Sequence, residues 1–140
     1  MELILHIGRE KTGTTALQAA LQRIFTQSSS KFYYPKDVTN WSSFRSLTAL
    51  FDNSLKYHYY RTLNINNWEQ HRLLSRKIED DIQRQLDITS KTHKCWIIST
   101  ENMSTNLTEL QQIERLKVFL DKHFTLNKII CYFRDQYSDA

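Results

Sequence analysis

The sequence predicts an α/β fold, a parallel β-sheet flanked by helices, and three observations carry that expectation. Three short apolar runs, ELILHI (2–7), CWIIS (95–99) and KIICYF (128–133), are continuous rather than alternating. Strands covered on both faces of a parallel sheet read that way. Stretches with helical spacing of apolar residues separate the runs. The 140 residues include only two glycines and one proline, so long flexible linkers are not expected and one domain over residues 1–140 is.

The elements follow in order. Residues 2–7 read as a strand, 8–13 as a loop, and Thr14 to Phe25 as a helix with Leu17, Ala20, Leu21 and Ile24 on one face. Lys31 to Pro35 read as a short extended piece, and Trp41 to Leu55 as a helix whose apolar face is Phe44, Leu47, Leu50 and Phe51. The tyrosine-rich stretch Tyr57 to Tyr60 has no clean period; its rings fit aromatic core packing or the lining of a pocket. A firmer helix spans about Trp68 to Leu86, with Asn67 as N-cap and a stripe of Leu74, Ile78, Ile82 and Leu86. After the second strand, TENMSTN reads as a loop. Asn106 is then expected to cap a third helix, with Glu109 as its capping-box partner and Leu110, Ile113, Leu116, Val118 and Leu120 as its apolar residues. The third strand closes the pattern, and crossovers between the strands are expected to be right-handed.

Composition excludes several classes. Hydrophobic residues make up 40% and charged residues 24%, a globular balance rather than a disordered one. The net charge of +4 and pI of about 9.1 favour an anionic ligand, and fit equally well weak nucleic-acid binding or no particular partner. Cys95 and Cys131 each sit in an apolar run and are expected to be buried free thiols of a reducing compartment. No cysteine or histidine pattern has zinc-ligand spacing, so no metal is expected. The first apolar run is too short for a signal peptide and no stretch could span a bilayer, so a cytoplasmic protein is expected.

In open parallel sheets, ligands bind outside the carboxyl ends of the strands. Three polar features lie just past strand ends here: the loop from Gly8 to Thr15, Glu101, and Arg134. Both glycines of the chain, Gly8 and Gly13, fall in that loop, where close approach of backbone to a ligand makes a side chain costly. GREKTGTT keeps the glycine spacing and final hydroxyl of the nucleoside-triphosphate loop GxxxxGK[ST]. Thr14, however, stands where the nucleotide-binding lysine belongs, and the one lysine, Lys11, precedes the second glycine. Such a loop can still wrap amides around a phosphate at a helix N-terminus. It lacks the lysine placed for ATP, which makes a nucleoside-triphosphate-dependent kinase the second reading.

The stretch HIGREKTGTTALQ resembles the 5′-phosphosulfate loop of the bacterial-type sulfotransferases, which use 3′-phosphoadenosine 5′-phosphosulfate (PAPS). KTGTT, from Lys11 to Thr15, fits that loop position for position. KIICYFRDQ is similar to the family's second signature, in which a strand ends in an arginine for the 3′-phosphate; Arg134 takes that place. CWIISTEN is similar to the family strand that ends in the catalytic base, with Glu101 in its place.

The resemblance implies a P-loop-like nucleotide-binding architecture and transfer of a sulfuryl group from PAPS to an acceptor hydroxyl or amine. It implies that Lys11, Thr12, Gly13, Thr14 and Thr15 hold the 5′-phosphate, and that Lys11 also stabilises charge on the departing phosphate oxygen. Glu101 would take the acceptor's proton, Arg134 would bind the 3′-phosphate, and no metal is required. The expected partners are this donor and an acceptor, small molecule or glycan, that the sequence does not identify, with no nucleic acid and no membrane. Each residue has a plain structural alternative: Lys11 as a solvated loop lysine, Glu101 as a loop cap, Arg134 paired with Asp135 or Asp139, and His6 as a satisfied core histidine. The fold itself admits a non-catalytic domain.

One departure stands out. The family serine for the 3′-phosphate, about two helical turns beyond the arginine, would fall past Ala140, and Ser138 is too close to Arg134 to replace it. The chain therefore looks like the N-terminal portion of a sulfotransferase, truncated after the third strand. Weak or absent turnover and self-association at an exposed sheet edge are the expectations.

Overall fold

Strand β1 (Glu2–Gly8) is the centre of the sheet because its neighbours on both sides are also apolar: β3 (Cys95–Thr100) on one side and β4 (Thr125–Tyr132) on the other. The structure, a computed structural model, describes residues 1–8, 14–27 and 31–132. A fourth strand, β2 (Phe32–Tyr33), comes from the stretch expected only to be extended, and pairs with β3. The order is β2-β3-β1-β4, and every pairing is parallel. The chain is thus α/β, with four strands described rather than three. Among the described residues no helix is long and apolar enough to cross a membrane.

Alternation along the strands sorts the helices into two layers. On one face, Gln18 of α1 (Thr14–Gln27) donates from Nε2 to Ser99 Oγ at 3.1 Å, beside His6. On the other face, Trp96 Nε1 donates to Thr89 Oγ1 at 2.9 Å, and the Thr100 hydroxyl meets that of Thr48 at 3.3 Å. Thr48 belongs to α2 (Arg45–Phe51) and Thr89 to α4 (Trp68–Thr89). The second layer also holds α3 (His58–Thr62), α5 (Met103–Asn106) and α6 (Leu110–His123). Its core gathers Leu3, Leu5, Leu47, Tyr57, Tyr59, Tyr60, Trp96 and Ile98, each at most 2% exposed. Burial on this scale is the main favourable contribution to folding.

Several elements differ from expectation for physical reasons. The helix expected over Trp41 to Leu55 forms only from Arg45 to Phe51. Its start is set by Asp37, whose Oδ1 accepts from Ser46 N at 2.7 Å. The tyrosine cluster falls on α3 and enters the core. Asn67 caps α4 as expected, accepting from Gln70 N at 2.9 Å, and its stripe of Leu74, Ile78, Ile82 and Leu86 is buried.

Asn106 does not cap α6; it ends the short helix α5, within the stretch expected to be a loop. Glu109 is the N-cap, in a capping box with Gln112. That register buries Leu116, Leu120 and Gln112, while Leu110 (72%), Ile113 (43%) and Val118 (70%) face outward. Ile24, expected inward on α1, is also 53% exposed, because Thr14 and Gln18 are the buried positions of that helix. β4 starts at Thr125 rather than Lys128, and its register with β1 shifts between Leu3 and Ile4. Cys95 is buried, but Cys131, expected to be buried, is exposed because β4 is the outer strand.

Candidate active site

The carboxyl ends of the strands meet at one edge. Ile7 pairs in register with Thr100, and Gly8 with Tyr132. The chain leaves β1 toward β2 on one side and leaves β3 toward β4 on the other. The connections from these two adjacent strands run in opposite directions across the sheet, and at such a switch point α/β sheets hold ligands outside the strand ends.

Three residues of the crevice are joined through Glu101. Thr14, the first residue of α1 and 3% exposed, donates from Oγ1 to Glu101 Oε2 at 3.0 Å. Arg45, the first residue of α2, donates from Nη2 to Glu101 Oε1 at 3.2 Å. The side chains of Arg45 and Glu101 are 17% and 15% exposed, so their charges are only partly screened. Of the residues expected to converge, Thr14 and Glu101 are thereby brought together.

Thr15 is the next residue of α1 and is exposed. The first turn of α1 carries no acidic side chain of its own; the anionic group beside its start is the Glu101 carboxylate. Gly8 abuts this turn: a Cβ there would stand 2.1 Å from Thr14 Cγ2. Lys11, Thr12, Gly13 and Arg134 lie outside the described residues.

Glu101 sits on a pinned turn. Asn102 is 2% exposed, its carbonyl accepts from Asn106 Nδ2 at 2.8 Å, and its Nδ2 donates to Tyr57 OH at 3.4 Å. Burial pushes the Tyr57 phenol up to about 12, despite the opposing Asn102 bond. Tyr57 therefore stays protonated near neutrality and is no base there.

Arg45 is the residue that sequence reasoning missed. Its Nη1 donates to His58 Nε2 at 2.8 Å, and its guanidinium lies 4.0 Å from the Trp41 ring centroid. Arginine has no acceptor, so in this contact the guanidinium is the donor. Phe44 N donates to Ser99 O at 2.8 Å, which fastens the start of α2 beside the end of β3. Asp37, 2% exposed, pins the same start: its carboxylate also accepts from the Ser46 hydroxyl at 2.6 Å, Tyr59 OH at 3.0 Å and the Thr39 hydroxyl at 2.6 Å. Trp41 precedes α2, which begins at Arg45, so their contact is no helical pair that spacing could have announced. Nothing in the sequence linked Arg45 to Glu101, 56 residues away.

His6 is a core histidine, as its plain reading held. It is 3% exposed and its Nδ1 shares a 2.7 Å hydrogen bond with Ser99 Oγ. Burial lowers its basicity. Beyond the β2 end, a groove of about 330 Å³ is lined by Tyr33, Lys36, Asp37, Lys77, Arg84 and Gln85. Among the described residues, no group of three or more histidine, cysteine, aspartate or glutamate side chains is arranged to hold a metal. Comparison with family models, with curated proteins and with solved structures gave no match to this chain.

Proposed function

We propose that this chain is a sulfotransferase-like protein with a P-loop-like nucleotide site, taking its sulfuryl group from PAPS and giving it to an acceptor hydroxyl or amine. The observation that carries the reading is the meeting of Thr14 and Glu101 over the β1 and β3 ends, at 3.0 Å. It puts a helix start suited to a phosphate beside a carboxylate suited to a proton. Gly8 lies so close to Thr14 that a side chain there would clash, and a tight glycine turn at a helix start is what a phosphate cradle calls for.

On this reading, amides from Thr12 to Thr15 hold the 5′-phosphate, and Arg134 binds the 3′-phosphate through charge-assisted hydrogen bonds. Glu101 accepts the proton of the acceptor group as that oxygen or nitrogen forms its bond to sulfur. The bond from sulfur to the bridging oxygen of the 5′-phosphate breaks, and Lys11 stabilises the charge left on that oxygen. The chain's contribution is positioning and electrostatics, as in phosphoryl transfer. The groove bordered by Lys36, Lys77 and Arg84 is the candidate place for acceptor recognition.

Titration with 3′-phosphoadenosine 5′-phosphate tests this function. Saturable binding with a Kd below about 1 mM, weakened about tenfold by Lys11→Ala, supports it. Magnesium-dependent ATP binding stronger than that of the bisphosphate would favour the kinase reading instead. The non-catalytic reading has one specific observation in its favour: both Glu101 oxygens already have partners, Thr14 and Arg45. A well-folded sample that binds neither nucleotide would establish that reading.

A further inference from the structure

We infer that Arg45 is the positioning residue for Glu101, an inference that rests on the sulfotransferase reading above. The guanidinium touches neither donor nor reacting atoms in this role; it acts through the carboxylate. Three contacts hold Arg45 in place: the Trp41 ring at 4.0 Å, His58 Nε2 at 2.8 Å and Glu101 Oε1 at 3.2 Å. Its backbone is fixed independently, by the Phe44 amide on Ser99 O and by Asp37 at Ser46. A planar cation stacked on one side and bonded at two nitrogens has little rotamer freedom left to lose. It fixes one oxygen of Glu101 and thereby aims the other.

The other oxygen, Oε2, receives the Thr14 hydroxyl at 3.0 Å. Thr14 is also the first residue of the helix whose start receives the 5′-phosphate on this reading. A phosphate arriving there competes for that hydroxyl, because a carboxylate and a phosphate oxygen are alike as acceptors. When the hydroxyl turns to the phosphate, Oε2 is released toward the acceptor while Arg45 keeps Oε1. Donor occupancy and readiness of the base are thus coupled through one threonine. Without Arg45 the freed carboxylate has no fixed direction.

The full chain, with Arg45→Met, Arg45→Lys and Glu101→Gln variants and the double variant Arg45→Met/Glu101→Gln, tests this. The probes are PAPS with water as acceptor, 3′-phosphoadenosine 5′-phosphate in calorimetry, and the ¹³C carboxyl resonance of Glu101, assigned by its loss in Glu101→Gln. Sulfate release from PAPS should fall about 10²-fold in Arg45→Met, within the range of a general base. The bisphosphate Kd should stay within about twofold. Arg45→Lys, which keeps the charge but not the planar stack, should recover only part of the rate. The double variant should be no slower than Glu101→Gln alone, since the two residues act as one unit.

The bisphosphate should move the Glu101 carboxyl resonance in the wild type and leave a broadened one in Arg45→Met. Losses that multiply in the double variant would overturn the inference. So would a bisphosphate-bound Arg45→Met protein whose Glu101 resonance matches the wild type, even if the wild type releases no sulfate. Absence of bisphosphate binding in the wild type is a different failure: it removes the sulfotransferase reading itself, and Arg45's role with it.

Discussion

Gly8 and Thr14 are so close that a methyl group on Gly8 would stand 2.1 Å from Thr14 Cγ2. Turning Thr14 away from that methyl group would cost its hydroxyl the bond to Glu101 at 3.0 Å. Gly8→Ala must therefore break that bond or shift the start of α1. We expect a loss of about 1–3 kcal/mol in stability, the usual cost of overpacking. Urea unfolding reads that term, and calorimetry should show bisphosphate affinity falling at least about tenfold. Unchanged affinity in Gly8→Ala would mean that this junction is not part of the nucleotide site.

Asp37 is a buried carboxylate that two hydroxyls, a phenol and a backbone amide of α2 all address. Asp37→Asn keeps the volume but replaces one acceptor oxygen with a donor, leaving buried donors facing a donor. The expected cost is about 2–4 kcal/mol, measured as a drop in the urea midpoint at unchanged slope. The Arg45–Glu101 pair should loosen with it, because Asp37 holds the first turn of α2.

Burial depresses His6, and burial followed by the Lys122 charge depresses His123. Both histidines are therefore neutral in the folded chain at pH values where the unfolded chain has begun to protonate them. The unfolded state binds more protons below its value of 6.5, so stability rises with pH there. It should be full above about pH 7 and be lost as pH falls through 6.5 toward the lower folded-state values. Tm measured from pH 7.5 to 5.5 should fall, and His6→Gln should flatten part of the slope. A Tm that holds or rises on acidification would contradict this.

On α6, Leu116 and Leu120 are 5% and 3% exposed, while Val118 is 70% exposed. Leu116→Ala should cost about 2–4 kcal/mol. Val118→Ser should stay within about 0.5 kcal/mol. Paired urea titrations check the difference.

That contrast shows what was legible in the sequence. The parallel strands were readable because Leu3, Leu5, Trp96 and Ile98 belong to unbroken apolar runs, which a two-sided sheet demands. The α4 stripe was readable because four apolar residues recur at four-residue spacing behind Asn67. The α6 face was misjudged because Glu109, rather than Asn106, caps the helix, and because polar Gln112 takes an inward position. Local composition cannot weigh that choice against Gln112 Nε2 donating to Phe51 O at 3.1 Å, across 61 residues.

Glu101 could be singled out because it follows a strand end, a position the sequence displays. Arg45, Trp41 and Asp37 could not, because a three-dimensional crossing brings α2 to Ser99 and nothing local announces it. Thr14 and Glu101 were each visible, yet their bond spans 87 residues and is a product of the fold.

The central claim is that an anionic nucleotide sits on the start of α1, beside Thr14 and Glu101. A crystal structure of the chain soaked with 3′-phosphoadenosine 5′-phosphate tests it most directly. The account predicts the 5′-phosphate within hydrogen-bond distance, about 2.7–3.2 Å, of the Thr14 and Thr15 amides, with the Thr14 hydroxyl turned from Glu101 to the phosphate. Nucleotide bound elsewhere, with Thr14 still on Glu101, would contradict it.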